Sequence, residues 1–151
     1  MKVCFTASSG GHFEQLMMLF PLMSEFDGFL ITEKTSYSSP KEDLKTYYVP
    51  QVNRKELFFS VKILIVFLKT IRILMKEKPD VIISTGALAT IPALVLGKAL
   101  RKKVIFIESF SKIHSPTITG KIVYKFADVF IVQWEEMKIF YPKAIYAGGI
   151  Y

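Results

Sequence analysis

Short apolar runs alternate along this chain with stretches of helix length, and that alternation leaves few folds open. Val3–Ala7 is an apolar run ending in small residues, as expected of a strand covered on both faces. Helical character follows over His12–Ser24, where Pro21 predicts a break or kink, because proline has no N–H and its ring crowds the preceding turn. Phe29–Thr32 is a second strand and Tyr47–Val49 a weaker third. The polar stretch Thr32–Val52 is expected to form a surface loop in that region. Glu56–Glu77 predicts the long helix, and Val81–Ser84 and Val104–Ile107 are strands separated by a helix through Ala89–Leu100. A helix near Thr117–Ala127 precedes the strand Val129–Val132, followed by a short helix from Trp134 and a last strand at Ala144–Tyr146. Strand and helix in turn, with short connections, predict an α/β fold with a doubly wound parallel sheet. In such folds ligands gather where loops leave the carboxyl ends of the strands.

A chain of 151 residues has room for one sizeable core. With 51% hydrophobic and 22% charged residues it is not a disordered chain. Its net charge of +7 points to an anionic partner: nucleic acid, a membrane surface or a phosphorylated substrate. Cys4 is the one cysteine, which excludes a disulfide framework and a multi-cysteine zinc site. Lying in an apolar strand, it reads as a buried thiol of a protein kept in a reducing cytoplasm. The residues between Met1 and the Ser8-Ser9-Gly10-Gly11 loop are too few for the apolar region of a signal peptide.

Three strand-end loops carry the residues with chemical potential. Ser8-Ser9-Gly10-Gly11-His12 follows the first strand and opens a helix. Glycines there let the backbone approach an anion, so Ser9, Gly10 and Gly11 are candidates for holding a diphosphate; a simple tight turn is the competing reading. His12 is a candidate general base or a hydrogen-bond donor to a phosphate, or a helix-start residue without chemistry. Glu33, at the end of the second strand, keeps a nicotinamide-binding reading open, although the G-x-G-x-x-G spacing is missing. Ser84-Thr85-Gly86-Ala87 offers a second site of small residues and hydroxyls, where Ser84, Thr85 and Gly86 are further candidates for holding the diphosphate, or a helix cap. Glu108-Ser109-Phe110-Ser111 is the third, with Glu108 as base, ligand holder or cap. No Asp-x-Asp pair occurs, and His12 and His114 have no ligand-spaced partners, so no metal site is expected. A departing phosphate would then be met by helix dipoles and side chains.

The long helix is too apolar for a sheet-packed helix alone. Leu57–Met75 is interrupted by Lys62, Lys69 and Arg72, whereas a membrane span needs about 20 residues with few or no charges; no span is predicted. At 100° per residue Lys62, Lys69, Arg72 and Lys76 share a stripe about 80° wide. Fourteen of the nineteen residues from Leu57 to Met75 are apolar. That exceeds the stripe of roughly 100° that packing on a sheet requires. The excess, including Phe58 and Ile65 beside the basic stripe, must meet more protein or lipid, and apolar residues flanked by lysines suit an interfacial membrane helix. Charge interleaved with aliphatics, without a recognised binding motif, excludes nucleic acid as the leading partner.

Together the Ser8–His12 loop, Ser84-Thr85-Gly86, Glu108-Ser109-Phe110-Ser111-Lys112, Thr117-Ile118-Thr119-Gly120-Lys121 and Gln133-Trp134-Glu135-Glu136 resemble one family over essentially the whole chain. It is the acceptor-side, membrane-anchoring subunit family of the split UDP-N-acetylglucosamine transferase, and its bacterial capsule and exopolysaccharide versions look most similar. That family resembles in turn the N-terminal half of MurG-type transferases, whose GT-B fold pairs two Rossmann-like domains across a cleft. The resemblance implies a Rossmann-like GT-B half-domain over residues 1–151, ending near Gly148-Gly149-Ile150-Tyr151 where a linker would begin. It implies an inverting glycosyltransferase subunit on the cytoplasmic face of the cell membrane, bound peripherally. The acceptor is a polyprenyl-diphosphate-linked sugar, and a C-terminal GT-B-like partner subunit binds the UDP-sugar donor, with no further cofactor. Gly10, Gly11 and His12 match the family's first glycine loop, Ser84, Thr85 and Gly86 the second, and Glu108 an important cleft carboxylate. The second loop reads Gly-Ala where MurG-type enzymes carry paired glycines, and Ile107 stands where a histidine would precede the carboxylate. Two other readings compete: a non-catalytic membrane scaffold for the partner, and a stand-alone nucleotide-binding enzyme.

Overall fold

A computed structural model of the chain describes residues 1–35, 44–53 and 55–151, so part of the predicted Thr32–Val52 loop lies outside the described residues. Among these residues seven strands form one parallel sheet: β1 (Lys2–Ala7), β2 (Asp27–Glu33), β3 (Thr46–Val49), β4 (Val81–Gly86), β5 (Lys103–Ile107), β6 (Val129–Val132) and β7 (Ile145–Tyr146). Their order is β3-β2-β1-β4-β5-β6-β7. The chain runs outward from β1 to β3, then crosses back to place β4 beside β1. That reversal leaves a crevice at the carboxyl ends of β1 and β4.

Among the described residues five α-helices cover the sheet: α1 (Gly11–Met17), α2 (Phe20–Met23), α3 (Phe59–Glu77), α4 (Ile91–Ala99) and α5 (Ile118–Val123). Strand side chains alternate between faces. Cys4, Ile82 and Val104 therefore pack with Val66 and Leu74 of α3, Leu94 of α4 and Val123 of α5. Val3, Phe5 and Ile83 pack on the other face with Phe13 and Leu16 of α1 and Met23 of α2. Burial pushes the Cys4 thiol well above the usual thiol range.

Several boundaries differ from the sequence expectation for local reasons. The helical stretch over His12–Ser24 is interrupted as Pro21 predicted, but the break falls between Met17 and Phe20, and Pro21 itself sits in the first turn of α2, where its missing N–H has no intrahelical partner to lose. The long helix begins at Phe59, after Glu56 has turned to pair with Lys62. The segment after Trp134 is a 3-10 turn over Glu135–Ile139. Lys78, in the left-handed region at φ 49°, ends α3.

Just before that stop, the buried Glu77 pins α3 to the sheet. Its carboxylate lies 2.6 Å from Lys2 Nζ and 2.7 Å from Lys45 Nζ, and accepts a hydrogen bond from the Tyr47 hydroxyl. The donors Lys2, Lys45 and Tyr47, in that order, hold its pKa down at about 2, against an ordinary value near 4.5. A carboxyl depressed on folding contributes stability that is present above its unfolded pKa and lost as pH falls through the folded one. Urea unfolding from pH 5 to pH 2 should show that loss in the wild-type protein. Glu77→Gln should be less stable at pH 7 and flatter across the window; an equally steep variant would assign the acid response to other carboxylates.

Candidate functional site

The crevice is organised around His12. Its Nδ1 lies 2.7 Å from the Thr85 carbonyl oxygen, and the Thr85 hydroxyl returns a 2.7 Å bond to the carbonyl of His12. A carbonyl only accepts, so Nδ1 carries the proton of the neutral ring and Nε2 keeps its lone pair. Gly86, at φ +99°, packs on the imidazole, and a Cβ there would stand 3.1 Å from Nδ1 and Cε1. Glycine is thus required twice over, for its backbone angle and for the ring's space. His12, Gly86, Ala87, Lys112 and Thr119 line a cleft of about 300 Å³. Lys112 was not among the sequence-derived site residues. Its position in the loop after β5 was the available signal, and only folding shows that this loop faces His12.

The first glycine loop is open on its outer side. A Cβ on Gly10 or Gly11 would meet nothing within 4 Å. The amides of Gly11 and His12 head α1 and have no intrahelical partner. Ser9 behaves differently from the expectation of direct diphosphate contact. Its N–H and its hydroxyl both donate to Glu33 Oε2, at 3.1 and 3.0 Å, while Glu33 Oε1 accepts from the Val52 N–H at 2.8 Å. Glu33 thus ties the loop to β2 and to the segment after β3. A polar hollow of about 440 Å³ lies beside this tie, lined by Ser9, Gln51, Asn53, Lys55 and Leu88 among others.

Ser84 and Thr85 are likewise spent inside the fold instead of facing a ligand. Both are completely buried. Ser84 Oγ accepts from the Gly86 N–H at 3.0 Å, and Thr85 holds His12. Of the six residues expected at the diphosphate, Gly10 and Gly11 are left with open backbone, Gly86 makes room for the imidazole, and Ser9, Ser84 and Thr85 shape the loops.

Of the three sequence readings of Glu108, its bonding fits the one in which it ties a neighbouring turn. Its side chain is 1% exposed. Oε1 accepts from the Ser109 N–H at 2.8 Å, and Oε2 from the Tyr141 hydroxyl at 2.7 Å and the Thr117 N–H at 3.2 Å. The Thr117 hydroxyl donates to the same carboxylate and accepts from the Gly120 N–H at 2.8 Å, capping α5. Burial first, then the bond to Glu108, pushes the Tyr141 hydroxyl far above its ordinary pKa. A carboxylate so enclosed and so fully bonded is a poor proton acceptor for a substrate. It positions the loop that carries Lys112 and the head of α5. The Gln133-Trp134 pair buttresses that loop: Gln133 Nε2 donates to the Glu108 carbonyl at 2.8 Å and Trp134 Nε1 to the Phe110 carbonyl at 2.7 Å.

α3 is apolar on two sides. Val66, Thr70 and Leu74 face the core. Phe58, Val61, Leu64, Ile65, Leu68 and Met75 are exposed, Phe58 by 66% and Ile65 by 39%. At 100° per residue these six span about 120°. Lys69, Arg72 and Lys76 are exposed along the same flank, whereas Lys62 is paired with Glu56. Among the described residues no helix is long and apolar enough to cross a membrane.

Residues 33–150 match the family described as oligosaccharide biosynthesis protein Alg14 like. The chain belongs to the Alg14-like family. One of its relatives, the human UDP-N-acetylglucosamine transferase subunit ALG14, is 38% identical over 81 residues, which cover 50% of this chain and 38% of that protein. The Staphylococcus aureus UDP-N-acetylglucosamine–N-acetylmuramyl-(pentapeptide) pyrophosphoryl-undecaprenol N-acetylglucosamine transferase is 28% identical over 94% of this chain and 43% of its own length. The crystal structure of Acinetobacter baumannii MurG superposes with a TM-score of 0.74 and 16% identity, over 89% of this chain and 42% of that one. The chain thus spans less than half the length of each of these proteins. The Alg14-like chain has a Rossmann-like fold similar to one half of a GT-B protein.

Proposed function

We propose that this chain is the acceptor-side subunit of a heteromeric, inverting glycosyltransferase that moves N-acetylglucosamine from its UDP conjugate to a polyprenyl-diphosphate-linked sugar. The observation that carries the proposal is the half-GT-B fold of an Alg14-like chain whose human relative is named a transferase subunit. A partner of the second GT-B half supplies the UDP-sugar site. The acceptor class is supported by the pyrophosphoryl-undecaprenol in the name of the Staphylococcus relative, and by the open Gly10-Gly11 backbone near a cleft that holds an ammonium group. The capsule or exopolysaccharide setting rests on the sequence resemblance alone.

In this reaction an acceptor hydroxyl oxygen attacks the anomeric carbon from the face opposite UDP. The bond from that carbon to the UDP oxygen breaks, and UDP leaves with the electron pair. The hydroxyl proton passes to Nε2 of His12, whose ring is oriented by Thr85. Lys112 and the amides of Gly11 and His12 offset the acceptor's diphosphate charge. The exposed stripe of α3, with Phe58, Ile65, Lys69, Arg72 and Lys76, rests on the cytoplasmic face of the membrane and holds the subunit there peripherally.

The test is transfer to acceptor embedded in anionic vesicles, measured for this chain, its donor-binding partner and the two together. Product should form only with both. Transfer by this chain alone would overturn the split-enzyme reading. Phe58→Glu combined with Ile65→Glu should release the protein from the same vesicles without lowering its melting temperature, since both side chains are exposed. Undiminished vesicle binding would remove the interfacial role of α3.

A further inference from the structure

A second apolar feature, distinct from the exposed stripe of α3, lies between α3 and α4. Phe59, Ile63 and Phe67 form one wall, Ile91, Pro92 and Val95 the other, and Leu88 the end. The groove holds about 330 Å³ and presents almost no polar surface. That is about twice the volume of an apolar cavity known to take benzene, so it has room for about ten carbons.

Its position is more informative than its size. Leu88 lines this groove and also the polar hollow of Ser9, Asn53 and Lys55. Its neighbour Ala87 lines both that hollow and the His12 cleft. Polar and apolar cavities therefore meet across the two-residue step Ala87-Leu88. A ligand occupying both sides must itself change from polar to apolar within that short distance. On α3 the exposed apolar residues Leu64 and Leu68 follow the groove residues Ile63 and Phe67 around the helix, about 100° on.

We infer that the groove between α3 and α4 receives the first isoprene units of the lipid-diphosphate acceptor, so that the protein binds the proximal lipid chain itself and not only the headgroup. The inference rests on the acceptor reading above. It makes the lipid a specificity element: the chain leaves the diphosphate at Ala87, passes Leu88, and enters the bilayer beside α3.

The experiment uses the full chain in vesicle-free buffer and calorimetric titration with two soluble probes, N-acetylglucosamine diphosphate esterified with an ethyl or a geranyl group. The geranyl probe should bind roughly a hundredfold more tightly, the return from burying about half of its added carbons. Val95→Trp, which places an indole in the groove from a partly exposed position, should reduce that ratio to less than about tenfold. Ile63→Trp provides a second filling variant from the opposite wall, with circular dichroism to verify folding. Equal affinity of the wild-type chain for the two probes would overturn the groove assignment and leave the acceptor reading standing. Failure of both probes to bind would overturn both readings. A ratio unchanged in folded filling variants would overturn the groove alone, as would a self-associated chain that Val95→Trp dissociates without any dependence on chain length.

Discussion

Replacing His12 with alanine should lower transfer by the assembled two-chain enzyme roughly 10²–10⁴-fold, the range that a positioned general base contributes. The expectation follows from the ring's geometry. Nδ1 is committed to the Thr85 carbonyl at 2.7 Å, and the Thr85 hydroxyl binds the His12 carbonyl at the same distance. These reciprocal bonds fix the tautomer and the ring plane before substrate arrives. Nε2 has no partner among the described residues and lines the side of the molecule where Lys112 and the Gly86-Ala87 turn meet. With Nδ1 committed in this way only Nε2 can take the acceptor's proton, so the alanine variant should lose most of the rate. The non-catalytic scaffold predicts something else: full activity in His12→Ala, provided the two chains still assemble. Single-turnover rates with saturating acceptor separate the two, because they are insensitive to any weakening of diphosphate binding by loss of the ring.

Gly120→Ala is expected to be the most damaging single methyl in the chain. Gly120 lies in α5 directly over the Glu108 carboxylate. A Cβ there would collide with Glu108 Oε2 and stand 2.5 Å from the Tyr141 hydroxyl and 2.9 Å from Thr117 Oγ1. None of these atoms is a loose end, since each is hydrogen-bonded to another of the group. To admit the methyl, α5 must move away from β5, leaving a buried carboxylate short of donors. Disrupting a buried charged network in this way costs about 3–5 kcal/mol. Urea unfolding checks it: a loss below about 1 kcal/mol would mean that the loop relaxes freely, and that Glu108 does not organise the cleft wall. Glu108→Gln keeps the shape but directs an amide NH₂ toward donors, and should destabilise by about 1–3 kcal/mol.

The contrast between Glu108 and Glu33 and their sequence readings is instructive. Both are carboxylates at the carboxyl ends of buried strands, which is where substrate-binding residues also sit. Their partners lie nine and thirty-three positions away for Glu108, and twenty-four and nineteen for Glu33. No local pattern relates residues at such separations. Ser84 and Thr85 are alike in this respect, for a hydroxyl in a strand-end loop serves a ligand or a neighbouring turn with the same chemistry. Lys112 shows the converse, an ordinary-looking lysine that folding places opposite the imidazole.

The succession of helices and strands and the parallel sheet were legible in the residues themselves, whereas the order of strands across the sheet, and with it the switch point between β1 and β4, came only with the fold. Apolar periodicity and the Pro21 break act over a few residues and encode secondary structure directly. The surplus of apolar residues in Leu57–Met75 likewise announced that α3 must satisfy two surroundings at once. Which carboxylates and hydroxyls are already bonded, which side of α3 is left bare, and where the apolar groove meets the polar hollow were decided only by tertiary structure. A polar group's chemistry depends on the donors that surround it, and these arrive from distant strands once packing has fixed their distances.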